Sequence, residues 1–171
     1  MRTALAIALL TLTVGPAAAQ DMSAFRTGPV FEEFGPHAPV EGAEPLASLE
    51  RFAIAFDVAA KAEEGARNRG FESAARFMNM HIAAGVPEDR IKLAVVVHGR
   101  AALDLVAGED NASQAMIEAM LAKGIRFILC GQSAAAQGIA KADFIEGVEL
   151  NLSAMTAHAQ LQQDGYTVNP F

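Results

Sequence analysis

One cysteine, Cys130, stands among 171 residues, so this chain cannot close an internal disulfide or act by itself as a dithiol oxidoreductase. Long apolar runs are missing too. The longest, over positions 4–14, is about eleven residues where a bilayer span needs roughly twenty. Basic clusters are absent, and 13 lysines and arginines against 20 aspartates and glutamates leave a net charge of −7. That balance argues against nucleic acid or anionic lipid as partners. No glycine-rich phosphate loop occurs, which removes the simplest nucleotide-binding reading. None of the four histidines stands at zinc-ligand spacing from another or from Cys130. The expectation is a protein that uses neither metal nor cofactor, and no internal repeat suggests an array.

What is present begins with MRTALAIALLTLTVGPAAA, in which Arg2 precedes the apolar stretch and Ala17, Ala18 and Ala19 precede Gln20. This is the layout of a secretory signal peptide cut after Ala19. Removing 19 residues from 171 leaves 152, and losing Arg2 takes the charge from −7 to −8. The expectation is one domain in the bacterial periplasm, free of the membrane after processing. Exported proteins usually pair their cysteines, so a single thiol there is buried and inert, shared with another chain, or chemically used.

Residues 20–48 read as an extended arm, with four of the seven prolines between positions 27 and 47. Phe25, Phe31 and Phe34 suggest that the arm packs against something, since a solvated linker has little use for three phenylalanines. Residues 49–171 form the expected domain, where apolar runs alternate with helical patterns. Strands are predicted over 52–58 (FAIAFDV), 91–97 (IKLAVVV) and 125–130 (IRFILC), with a weaker fourth over 147–152. The second is nearly continuous and β-branched, as suits a parallel strand covered on both faces. Helices are predicted over 68–85, 111–124 and 153–165, and Ser133 is placed as the cap of a short helix through AAAQGIA. YTVNPF closes the chain. Strands alternating with helices imply a doubly wound α/β sandwich.

In such sheets ligands bind beyond the carboxyl ends of the strands. Two strands end there in a reactive side chain followed by glycine: His98 before Gly99, and Cys130 before Gly131. Asp57 ends a third on the same rim. A helix starting just after Cys130 would stabilise its thiolate, yet free cysteine is also among the most buried residue types. Both readings stand open at this point. His98 and Asp57 have plain structural alternatives, a hydrogen-bonded strand end and a loop cap. They could serve as base and orienting group, with the Gly131 and Gln132 amides as anion donors. His158 shares a helical face with Ala154, Ala157 and Leu161, which points to packing. His37 lies in the arm and His81 in mid-helix near Met78. Met116 and Met120, one turn apart, read as core filling.

The stretches KLAVVVHGRAALDLV, GIRFILCGQSAAAQGI and GVELNLSAMTAHAQLQQDGYTVNPF, in this order, resemble the DsrE family, particularly its exported single-domain type. The likeness to DsrF, DsrH, TusD and YchN proteins is more distant. It runs from about Phe52 to Phe171. The resemblance implies a three-layer α/β/α sandwich on a mainly parallel five-stranded sheet, and assembly into homo- or hetero-oligomers. From the sulfur-relay branches it implies a cysteine that carries sulfane sulfur as a persulfide, a role that falls on Cys130, with a protein or small sulfur compound as donor and acceptor. His98, Gly131 and Gln132 match the family's sequence pattern around the rim, and Gly99 and Asp57 stand beside them as candidate binding positions. The competing expectation is a non-catalytic oligomeric module that binds a small anion or a protein at helix N-termini.

Overall fold

A computed structural model describes residues 21–46 and 51–169. The expected signal segment, its cleavage site and the junction expected at residue 48 lie outside those residues. Five strands form one parallel sheet: β1 (Phe52–Val58), β2 (Ile91–Val97), β3 (Arg126–Cys130), β4 (Glu149–Asn151) and β5 (Thr167–Asn169). Their spatial order is β4-β3-β2-β1-β5. The central strand β2 is buried at every residue but Lys92, which is why its sequence is apolar without alternation. The expected fourth strand contracts to three residues. The closing YTVNPF supplies β5, which pairs with β1 and so sits at the far edge from β4.

Strand alternation sends side chains to two layers. On one face Phe56, Leu93, Val95, Phe127 and Leu129 meet Phe71 and Met78 of α1 (Arg69–Ala83) and Met116, Ile117 and Met120 of α2 (Gln114–Ala122). On the other, Ala55, Ala94, Val96 and Ile128 pack beneath Ala157 and Leu161 of α4 (Ala154–Gln163). The result is the expected three-layer sandwich. No helix of the described residues is long and apolar enough to cross a membrane.

Asn68 caps α1 by accepting the Gly70 and Phe71 amides, and its own side-chain amide reaches Asp104 Oδ2 at 2.7 Å. Ser153 caps α4 by accepting the Thr156 amide at 3.0 Å. The short helix α3 (Gly131–Gln137) departs from expectation: Cys130, not Ser133, holds its N-cap position. The helix follows the strand without a loop because Gly131 has no side chain. A Cβ there would stand 2.7 Å from the Asn151 carbonyl oxygen. Ser133 lies one turn inside, where its hydroxyl accepts the Gly99 amide at 2.9 Å.

The arm packs against α1 through Asn79, which is fully buried. Asn79 Oδ1 accepts the Val30 and Phe31 amides at 3.1 and 2.9 Å, and its Nδ2 donates to the Phe31, Phe34 and Gly35 carbonyls. Phe31 and Phe34 stack with ring centroids 4.9 Å apart and are buried. Phe25 differs: it is 38% exposed, although the neighbouring Arg26 pairs with His37. The arm therefore anchors with two phenylalanines, not three.

Candidate functional site

Alternation along the strands decides which side chains meet. Ala55, Ala94, Val96 and Ile128 face α4. Two residues beyond Ala55, Val96 and Ile128, on the same face, come Asp57, His98 and Cys130. Val97 pairs with Leu129, so the register carried one residue further sets His98 against Cys130 on neighbouring strands. All three side chains gather at the carboxyl end of the sheet under the N-terminal half of α4.

The Cys130 thiol lies where α3 and α4 both begin. Burial pushes its pKa up, but hydrogen bonds from the Ser133 hydroxyl and from the Ser133, Ala154 and Gln132 amides outweigh it, and the thiol is held below the ordinary cysteine value. Polar groups at the starts of α3 and α4 thus favour the thiolate. The residue is 6% exposed, so the thiol is activated without being open. Gly131 lets the chain between β4 and α4 come close enough for the Ala154 amide to take part. Gln132 also ties that segment down, its side chain donating to the Leu152 carbonyl at 3.3 Å. Gly99 at φ +54° makes the turn after His98 and hands its amide to Ser133. One hydroxyl thus links the rims of β2 and β3.

Asp57 holds two histidines. Its Oδ2 lies 3.1 Å from His98 Nε2 and its Oδ1 lies 2.7 Å from His158 Nε2. Burial raises its pKa, the hydrogen bonds to His158 and His98 lower it, and the net shift is downward. An ionised carboxylate only accepts, so both rings carry their hydrogen on Nε2. The packing role expected for His158 is therefore corrected: its ring reaches a carboxylate 101 residues away. Nothing local could have signalled it, because the contact exists only once α4 lies across β1. The Ala154 amide was missed for the same reason.

The other expected positions fall elsewhere. His37 is buried in the arm, with Nε2 2.9 Å from the Gly28 carbonyl oxygen, and His81 stacks on Phe77. Met116 and Met120 are buried, as core filling requires. Among the described residues no group of three or more metal-ligating side chains is arranged to hold an ion. A cleft of about 480 Å³ lies between residues 61–66 and 103–113, and Cys130 does not line it.

The sequence profile of the DsrE/DsrF-like family matches residues 50–170. No curated protein matches the chain. Among solved structures, a protein of unknown function from Methanobacterium thermoautotrophicum, MTH1491, superposes with a TM-score of 0.56 at 18% identity, covering 70% of this chain and 99% of its own. The YchN protein of E. coli gives a TM-score of 0.47 at 20% identity, with the same coverages of 70% and 99%.

Proposed function

Since the chain belongs to the DsrE/DsrF-like family, we propose that it is an exported sulfur carrier in which Cys130 accepts a sulfane sulfur, holds it as a persulfide and passes it on. The observation that carries this reading is the place of Cys130, the last residue of β3 and the N-cap of α3, on the rim where Asp57 and His98 also lie. A thiolate is the nucleophile that sulfane transfer needs, and one cysteine suffices for a carrier. The donor and acceptor are small sulfur compounds or partner proteins, and the site of action is the periplasm. Assembly into a homo-oligomer belongs to the same proposal.

Incubation with glutathione persulfide tests it. The protein is expected to gain one sulfur atom by intact mass, reversed by a thiol reductant, and Cys130→Ser is expected to gain none. The alternative, a non-catalytic oligomeric binding module, is favoured by the 6% exposure of Cys130. A native protein that gains no sulfur and resists alkylation until denatured would decide for that alternative.

A further inference from the structure

Sulfur transfer to Cys130 leaves a proton to be moved, and the amides and the hydroxyl around the thiol settle its charge without removing that need. We propose that Asp57, His98 and His158 form the proton site of this transfer, with His98 as the group that exchanges the proton and His158 as the residue that positions it. The proposal rests on the sulfur-carrier reading.

Geometry separates the roles of the two histidines. Both spend Nε2 on the Asp57 carboxylate, so each can exchange a proton only at Nδ1. His158 Nδ1 is buried and has no hydrogen-bond partner among the described residues. A proton added there would be an enclosed donor with nothing to accept it. The His98 side chain is 33% exposed against 17% for His158, and His98 stands at the strand end opposite Cys130. The carboxylate between the rings offsets the charge of an imidazolium at His98. His158 holds that carboxylate from α4, the same helix whose Ala154 amide reaches the thiol. The other charged groups nearby are Lys61, Glu63, Arg67 and Arg69, which line the cleft beyond Asp57, and exposed Arg100 after Gly99.

The step balances without an oxidant. Cys130 reacts as the thiolate, its proton having passed to His98 in an equilibrium that precedes the donor and that solvent also sustains. The thiolate attacks the outer sulfur of a persulfide R–S–SH, a bond forms from Cys130 Sγ to that sulfur, and the inner S–S bond breaks with its electron pair leaving on R–S⁻. His98 then returns the proton, so that thiol and persulfide exchange identities: Cys130–S–SH and R–SH.

Two donors with different leaving groups provide the test. Glutathione persulfide expels a basic thiolate, whereas benzenethiosulfonate expels benzenesulfinate, which needs no proton. His98→Gln is expected to slow loading from glutathione persulfide by about 100-fold, the usual scale of general acid–base catalysis, and loading from benzenethiosulfonate by less than about threefold. Asp57→Asn and His158→Gln are expected to show the same donor-selective loss at smaller size, with iodoacetamide alkylation of Cys130 unchanged. Equal rates in wild type and His98→Gln with both donors, or equal slowing with both, would overturn the proton site and leave the carrier reading intact. Wild-type protein that takes sulfur from neither donor overturns both.

Discussion

The Ser133 hydroxyl accepts the Gly99 amide at 2.9 Å and is the largest of the influences that lower the Cys130 pKa. Removing it takes away a donor that favours the thiolate while leaving the three amides in place. Ser133→Ala is therefore expected to raise the Cys130 pKa, seen as an alkylation midpoint displaced to higher pH, and Ser133→Thr is expected to restore it. The sign for stability follows from linkage. A thiol held below its ordinary value contributes stability that is complete above about pH 8.5, the unfolded cysteine value, and is lost as pH falls through the folded value. The melting difference between Ser133→Ala and wild type is thus expected to be larger at alkaline than at neutral pH. A midpoint unchanged by Ser133→Ala would place the control of the thiol in the amides alone.

The arm and α1 form a unit larger than any one residue. Five backbone groups of the arm are satisfied by the single side chain of Asn79. Gly35 lies at φ +68° where a Cβ would stand 2.7 Å from the Arg76 amide nitrogen. Asn79→Ala strands buried donors and acceptors, each costing about 1 to 3 kcal/mol. It is expected to lower stability by at least about 2 kcal/mol in denaturant unfolding and to expose the arm to proteases. Deleting residues 20–47 is expected to lower the melting temperature and leave the sheet folded, since Phe31 and Phe34 add roughly 1.5 to 3 kcal/mol each. Near-UV and far-UV circular dichroism distinguish these outcomes. A truncated chain that melts like the whole would make the arm dispensable.

At the scale of the whole molecule, β4 is a sheet edge with its Leu150 side chain 46% exposed, and Leu152 and Met155 beside it are 71% and 80% exposed. Apolar side chains gathered on an unpaired edge are usually covered in the working protein. Under the proposed homo-oligomer, this edge is the surface expected to be covered by a second copy. Native mass spectrometry of protein recovered from the periplasm of a Gram-negative host is expected to give a chain starting at Gln20 in a complex of more than one copy. Replacing both Leu152 and Met155 by Glu is expected to yield single chains. A single-chain mass for the wild type across a micromolar dilution series would refute the assembly.

The sequence by itself determined the alternating α/β order, the buried central strand and the candidacy of Cys130, His98 and Asp57, because strand periodicity and a reactive residue before glycine are local signals. The resemblance supplied the five-strand count, and the β5 position escaped notice because three residues, two of them polar and exposed or half-buried, carry no apolar pattern. Helix starts were read correctly where a side chain caps its own helix, as at Asn68 and Ser153. The reading failed at Ser133, where the serine was drawn instead to the Gly99 amide across the rim. Only the tertiary structure decided that His158 meets Asp57, that Ala154 meets Cys130 and that Asn79 gathers the arm. These are polar contacts between segments dozens of residues apart, and their partners are set by how α4 crosses the sheet and how the arm folds back, which no local pattern encodes.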